Sequence, residues 1–576
     1  MPTEMKNKFI ANIVSKMTLD QKVGAVMTLG FSGTFVRPHI LDAIQKYHCG
    51  GLRLTPGSRT FGSYVEPKSG KMVVNVEDTK GYKKGINAPT VTATEYKEIL
   101  DGLQNLAMKR LLGIPLHFSF DQEGGSNADF FFGGVNIFPK PMGLRATGDS
   151  KLSHEVALAI ARQGRATGFN WIHSPDLDIN VNPENPGICT RSYSDRLEDV
   201  IEYAEQTCMG FKQGGLIATG KHFPGRGESS VDPHYSELTI DIDKDMLYKR
   251  ELMPYKHLID KKLLPAIMVA HCIYPKIDDG TVSTVSKRII TGIARDYLGF
   301  EGVITTDSMT MGAISTRYQV NEACAMALQA GADLVLMKAE NELVGATFNT
   351  IKSYVEEGKI TEQELDIKVY RVLNCKYEYG LFHYGTLWPE SPENAIRDPR
   401  IVNLSKLVGK KSVVVARDLK NVLPLSKNEK MLIIEQRQTD FNTLQWHPGI
   451  LFKHCLKWNP GAAYLEVDFT PDEADLNNIR GLVKEYDTIV ITSFYYRSSK
   501  GNSEIVAEVA GDKSKKVVVI ANTPYRNSIP TNADTVVVSF ATSPDNMEAT
   551  AGVLFGEIHA EGEWPVAYEK DRWTVQ

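Results

Sequence analysis

Nowhere in these 576 residues do apolar side chains run uninterrupted for anything near the ~18 positions that a membrane-spanning helix needs. Charge of one sign is scarce too: 65 Lys and Arg against 70 Asp and Glu leave a formal net charge of −5. Neither a nucleic acid nor a membrane is therefore an expected partner. Cysteine is thin. Cys49, Cys189, Cys208, Cys272, Cys324, Cys375 and Cys455 are scattered without a CxxC pair. An odd count without framework spacing fits reduced thiols in a cytoplasm. The polar N-terminal stretch MPTEMKNKFIANIVSKMTLDQKVG reads as helix and lacks the apolar segment and cleavage site of a secretory signal, so a cytoplasmic location is expected. No GxGxxG follows a first strand, no Walker-type loop is present, and no His/Cys set has zinc-like spacing. Hence no metal, nucleotide or other cofactor is expected.

The chain does have a strong alternation of short apolar runs and longer amphipathic stretches. It is also too long for one ordinary domain. In the first part the runs are VGAVMTLGF from Val23, GGLRLTP from Gly50, PLHFSFD from Pro115 and GFNWIHSPDLDI from Gly168. They continue with GLIATGKHF from Gly215, LPAIMVAHCIYP from Leu264, GVITTDSM from Gly302 and ADLVLM from Ala332. Helix-length segments such as SHEVALAIARQGRAT separate most of them. Eight strand–helix units are the number that closes a (β/α)8 TIM barrel, and this α/β fold is preferred to an open doubly wound sheet. Residues 58–94, between the second and third runs, are rich in Gly, Lys and Tyr and are read as a lid or rim over the barrel mouth in preference to a mobile excursion.

The barrel domain is expected over residues 1–384, with a linker at 385–402 carrying Pro389, Pro392 and Pro399. A smaller α/β three-layer sandwich is expected over 403–576, with strands KSVVVARD, MLIIEQ, TIVITSFYY, KVVVIANTPY and TVVVSFAT.

In a barrel the chemistry sits at the C-terminal ends of the strands. There this chain places Asp121-Gln122-Glu123-Gly124-Gly125 after the third strand, and Asp176, Asp178, Asn180 and later Arg191 after the fourth. After the fifth comes Lys221-His222-Phe223-Pro224-Gly225-Arg226-Gly227, running on to Asp232-Pro233-His234. The sixth ends at His271 and the seventh at Asp307. Each has a plainer reading: Asp121 or Asp307 as a helix N-cap, Arg191 as an exposed ion-pair partner, His271 as a satisfied core histidine, Met309 and Met311 as packing residues. Together they suit a sugar ring. Asp307 supplies a nucleophile, and His234 held by Asp232 supplies a general acid/base near neutral pH. Asp121, Arg191, Lys221 and His222 can form paired hydrogen bonds to vicinal hydroxyls. Cleavage through a glycosyl ester on a carboxylate retains anomeric configuration.

These motifs, with Met17-Thr18-Leu19-Asp20-Gln21-Lys22-Val23-Gly24, Asn185-Pro186, Arg191-Ser192-Tyr193 and Gly302-Val303-Ile304-Thr305-Thr306-Asp307-Ser308-Met309, resemble family 3 of the glycoside hydrolases. Within it they are similar to the two-domain β-N-acetylglucosaminidase branch. The likeness extends more loosely from Lys420-Asn421-Val422-Leu423-Pro424-Leu425 to Val553-Leu554-Phe555-Gly556-Glu557. The resemblance implies an exo-acting retaining enzyme with Asp307 as nucleophile and His234, paired with Asp232, as acid/base. It also implies that Asp121, Arg191, Lys221 and His222 hold the sugar in the −1 subsite. The family's β-glucosidases instead use a Glu on the second domain, and Glu504 is the residue to weigh for that role. Two departures bear on substrate identity: Arg226 stands where the branch pattern resembles Gly-His-Gly, and the 58–94 insertion is long.

The branch includes phosphorylases as well as hydrolases. An imidazole tolerates an anionic acceptor that a carboxylate would repel, and Arg226 adds a cation suited to phosphate. Water or phosphate as acceptor, and glucose or N-acetylglucosamine as the sugar, both stay open. A non-catalytic carbohydrate-binding protein on the same barrel is a further alternative, and predicts loss of Asp307 or the Asp232–His234 pair. A Schiff-base aldolase is another, since Lys221 and Lys338 end strands, although Lys338 has no motif around it.

Overall fold

The computed structural model describes residues 7–56, 91–232, 237–383, 390–437, 449–497 and 501–569, with the backbone of 63–65 and 72–74. Eight parallel strands close into a barrel: β1 (Met27–Ser32), β2 (Gly51–Thr55), β3 (His117–Phe120), β4 (Trp171–Ile172), β5 (Ile217–Phe223), β6 (Ala266–Val269), β7 (Val303–Ser308) and β8 (Leu334–Met337). They pair in sequence order, and β8 closes onto β1 with Leu29 opposite Met337. The first strand starts later than the sequence suggests. Thr18 and Gln21 form a capping box, so Val23 ends up in the helix Leu19–Ala25 rather than in β1. The fourth is shortened: Pro175 has no N–H to give the ladder, and pairing resumes as a bridge from Asp176 to Lys221.

Side-chain alternation sorts every barrel strand. Leu29, Leu52, Phe118, Ile172, Ala218, Ile267, Ile304 and Val335 face the surrounding helices and join the large core. Trp171, Ile217, Ala266, Val303 and Leu334 face the axis at its N-terminal end, where Val372 and Cys375 of the helix Glu362–Glu378 plug it. Lys376 of that helix is buried and donates from Nζ to the carbonyls of Gly50 (2.6 Å) and Pro115 (2.9 Å). These lie just ahead of β2 and β3, so one amine ties the plug to the wall.

A six-stranded sheet forms the second unit: β9 (Val414–Asp418), β10 (Met431–Gln436), β11 (Ala463–Val467), β12 (Thr488–Ser493), β13 (Lys516–Ala521) and β14 (Thr535–Val538), in the order β9-β14-β13-β12-β10-β11. All neighbours are parallel except β9 and β14. Ile489, Ile491, Val517 and Val519 face the helix Ser503–Gly511, while Val490, Val518 and Ile520 face the helices Ile450–Cys455 and Pro544–Leu554. Helices on both faces make three layers. The strand absent from the expected set is β11, an edge strand whose mixed, half-buried residues give only a weak apolar run.

Within the stretch expected as a linker, the described residues 390–402 are largely helical. Ser391 caps Pro392–Ile396, Asp398 caps Pro399–Ser412, and a Pro at the first position starts each helix. Ile396 packs in the barrel core. Of the 58–94 segment, Ser63–Val65 pairs antiparallel with Met72–Val74, and most of the expected lid lies outside the described residues. No helix among the described residues is long and apolar enough to cross a membrane.

Burial drives the Lys376 pKa down to about 7 from an ordinary 10.5. Its folded form therefore binds a proton less readily than its unfolded form. Its contribution to stability is full above pH ~10.5 and is lost as pH falls towards 7. Urea midpoints measured from pH 7 to 10 are expected to rise more steeply in the parent protein than in Lys376→Met.

Candidate active site

The same alternation that buries the outward face of each strand turns the other face to the axis. At the C-terminal end that face carries Arg53, Asp121, His173, Lys221, Asp307 and Lys338. Six polar side chains from six strands thus form one layer across the mouth.

Half of this layer, Arg53, Asp121 and Lys221, is bound into an ion-pair network. Arg53, almost wholly buried, reaches the Asp121 carboxylate and lies 2.7 Å from Asp129. Asp121 Oδ1 accepts from Lys221 Nζ at 3.0 Å, and Lys221 lies 2.5 Å from Glu123. Glu123 takes a bidentate pair from Arg191, at 2.7 Å from Nε and 2.9 Å from Nη2. Burial opposes ionisation of Asp121, but Arg53 and Lys221 outweigh it and hold that carboxyl well below the ordinary range. Burial opposes Glu123 likewise, and Arg191 with Lys221 brings it to about 2. Asp121 keeps 31 % of its side chain open, towards the mouth. His173 lies 3.8 Å from Asp121 and is buried, which pushes its pKa down to about 3.

A bulge distributes the next residues. Met268 on β6 stands opposite Lys221 but Val269 stands opposite Phe223, so His222 is the extra residue. Lys221 and His222 consequently both serve the mouth, whereas strict alternation would send one outward. His222 Nε2 lies 3.2 Å from Arg191 Nη2 and 2.9 Å from Arg226 Nη2, and Nδ1 lies 2.7 Å from Asp178 Oδ2. Guanidinium N–H groups only donate, so Nε2 is the acceptor and Nδ1 carries the proton that Asp178 receives. His222 is a neutral imidazole of defined tautomer. Asp176, buried with Asp178 beside it, has its pKa pushed well above the usual carboxylate range by burial first and Asp178 second. Asp176, Asp178 and His222 bring three possible metal ligand atoms within 4.8 Å of one another. The two guanidiniums already supply the positive charge there, so the cluster reads as a hydrogen-bond network.

The loop after β5 folds back over β4's extension. Gly227 lies so close to Ile179 that a Cβ would sit 1.6 Å from its carbonyl oxygen, which only glycine permits. Asn185 Nδ2 donates to the carbonyls of Arg226 (3.0 Å) and Gly227 (3.1 Å), and a Cβ at Gly187 would lie 3.8 Å from the Asp232 carboxyl carbon. Asp232 is 3 % exposed. His234 lies outside the described residues, and with it the geometry of the expected Asp232–His234 pair.

Asp307 is half-buried at the end of β7, where its Oδ1 accepts from the Ser308 N–H at 2.7 Å. It caps no helix: the next one, Gly312–Ser315, starts from Met311. Nor does Asp121, whose oxygens face Arg53 and Lys221. Arg191 is buried rather than an exposed partner. His271 is bonded at both nitrogens, to Thr284 (2.6 Å) and Ser308 (3.0 Å), and Met309 and Met311 are buried. Glu504 is exposed in the first turn of Ser503–Gly511. Arg53, Asp129 and His173 are members of the site that the sequence pattern does not single out. Arg53 carries a signal, a lone charge in the apolar run GLRLT, and His173 is in phase with Trp171; Asp129 carries none.

The second unit meets this side of the mouth. Asn180 donates to Tyr525 at 2.8 Å, Asp195 accepts from the backbone of Ala567 and Tyr568, and Lys140 lies 5.5 Å from the Tyr496 ring centre.

Residues 18–375 match the model of the glycosyl hydrolase family 3 N terminal domain. The chain is 28 % identical over 377 residues to "Beta-hexosaminidase A" of Pseudoalteromonas piscicida, covering 60 % of each protein. It is 26 % identical over 358 residues to "Beta-N-acetylglucosaminidase/beta-glucosidase" of Cellulomonas fimi, covering 60 % of this chain and 61 % of that one. Both matches thus span about three-fifths of the curated relatives. A solved glycoside hydrolase family 3 β-N-acetylglucosaminidase from Paenibacillus sp. str. FPU-7 superposes with a TM-score of 0.84 at 27 % identity, over 96 % of this chain and 99 % of that one. A barrel whose strand ends carry this network, under a family model covering more than half the chain, makes the protein a member of glycosyl hydrolase family 3.

Proposed function

We propose that this chain is a retaining, exo-acting β-glycosidase for β-N-acetylglucosaminides or β-glucosides, the two classes in the name of the Cellulomonas fimi relative. The observation that carries this reading is a half-buried carboxylate, Asp307, facing the axis in one layer with Asp121, Lys221 and Arg53. In the first step an Asp307 oxygen bonds to the anomeric carbon while the bond to the leaving oxygen breaks. His234, as imidazolium stabilised by Asp232, gives that oxygen its proton. In the second step His234 takes a proton from the incoming acceptor, whose oxygen displaces Asp307. Two displacements restore the starting configuration. Arg191, Lys221, His222 and Asp121 orient the ring, and the ion pairs and hydrogen bonds that hold them fix them before substrate arrives.

Phosphate as acceptor has one specific support. Arg226 is 2 % exposed on the loop that leads to Asp232, and its Nε and Nη1 have no hydrogen-bond partner among the described residues. Nε lies 3.8 Å from Asp178, beyond hydrogen-bond distance, so two buried guanidinium nitrogens keep N–H donors that suit an anion's oxygens. An anionic acceptor would leave the sugar as a 1-phosphate.

Asp307→Ala is expected to lower turnover of an aryl β-glycoside by at least ~10³-fold. A 2-fluoro glycoside should label Asp307 in peptide mapping; label elsewhere, or an inverted product by NMR, would sink the nucleophile assignment. Added phosphate should raise the initial rate and yield sugar 1-phosphate if phosphorolysis operates, and neither effect leaves water as acceptor. Glu123→Gln loosens Arg191 and Lys221 together, and is expected to raise KM about tenfold or more while retention persists. Aryl β-glucoside against aryl β-N-acetylglucosaminide, compared by kcat/KM, separates the two sugars.

A further inference from the structure

Lys338 follows β8 directly. Leu334 faces the axis and Val335 and Met337 face the outer helices, so the two-residue period turns Lys338 to the axis in the layer that holds Asp121 and Asp307. Across the wall stands Gly30 of β1. A Cβ there would lie 3.1 Å from the Lys338 carbonyl carbon and 3.2 Å from its Cα, so β1 presents backbone alone beside this residue. Lys338 is exposed to the mouth, whereas the other cations of the layer, Arg53 and Lys221, are buried in ion pairs. Among the described residues Lys338 makes no hydrogen bond or ion pair, although Asp121, Asp129, Asp307 and Arg53 are all close enough to act on its charge. A long cation that could pair with carboxylates yet stands open at the mouth keeps its donors available to whatever enters.

We propose that Lys338 is a substrate-contacting residue whose amine donates to a ring hydroxyl of the bound glycone while the open side of Asp121 accepts from a neighbouring one, so that it helps decide which sugars are taken. This rests on the glycosidase reading above. In barrel order β8 lies beyond β7 from the β5 loop, so the hydroxyl it meets belongs to the glycone side rather than to the acceptor that approaches past Asp232. The protein crowded around the mouth lowers the Lys338 pKa by desolvation, Arg53 adds to this, and the three carboxylates work against it. In either protonation state the nitrogen keeps N–H donors, so the contact survives across the working pH range.

The test is a panel of aryl β-glycosides comprising the parent sugar and its 3-, 4- and 6-deoxy forms, run on the full chain and on Lys338→Met. The variant is expected to lose about 10- to 100-fold in kcat/KM on the parent, chiefly through KM, and less than ~3-fold on the one deoxy form that lacks the partner hydroxyl. Lys338→Arg should recover part of the loss. Parent-like kinetics in Lys338→Met would overturn the proposal, and so would an equal loss on every member of the panel, which marks a structural role. Calorimetric binding of the free sugar and its deoxy forms gives the same comparison without turnover. Trapping by the 2-fluoro glycoside in the parent protein keeps the two readings apart. Labelled Asp307 with an indifferent Lys338 fails only this proposal, and no labelling fails the glycosidase reading.

Discussion

The run of ion pairs from Arg53 through Asp121, Lys221 and Glu123 to Arg191 joins β2, β3, β5 and the turn after β4 across the mouth. Taking so many charges out of water is costly, and such a network is weak evidence for stability in itself. Removing one member is another matter, because it strands the rest as buried, uncompensated charges. The arrangement therefore behaves as a unit. Its effect on function is preorganisation: the donors and acceptors that would meet a sugar are fixed by each other, with their reorganisation already done when the ring arrives.

Why the network can exist follows from two features of the barrel. The alternation of side chains delivers one axis-facing residue per strand to the same height, and the bulge at His222 adds a second from β5. His222 in turn is fixed as a neutral imidazole between two guanidiniums and Asp178. It can accept from Arg191 and Arg226 only while its Nε2 stays unprotonated. Charge thus stays on the guanidiniums, while burial first and Asp178 second push the Asp176 pKa up.

Much of this is written in the sequence at short range. A strand run that ends in a polar residue is visible in PLHFSFD, GLIATGKHF and GVITTDSM, which is why Asp121, Lys221 and Asp307 stand out from the pattern of residues alone. Arg53 sits inside GLRLT and does not stand out, because a charge within an apolar run looks like noise until the barrel gives it an inward direction. Asp129 depends on the turn of Gln122–Gly124 against Asn127–Ala128, a pairing that a sequence pattern of two or three residues cannot announce. The β11 edge strand is hidden for a related reason: one side of its ladder is unpaired, and its residues are only half-buried. Element boundaries shift where local chemistry beats the apolar pattern, as where the Thr18–Gln21 capping box draws Val23 into a helix.

Among the described residues the second unit meets the mouth from one side. Among the described residues its hydrogen bonds to the barrel fall largely on the loops after β3 and β4, through Asn180, Ser194 and Asp195, and Cys189 and Met142 join its hydrophobic core. Those same loops carry Arg191 and hold the β5 loop through Asn185. Docking the sandwich therefore stiffens the sector that positions Arg191, His222, Arg226 and Asp232. The β8 and β1 sector, with its exposed Lys338 and the bare backbone of Gly30, receives no such bracing among the described residues. On the glycosidase reading proposed above, a rigid sector that would fix the ring stands beside a sector with one long, adjustable donor, a division of labour by which a single barrel would discriminate among similar sugars without disturbing the residues proposed to do the chemistry.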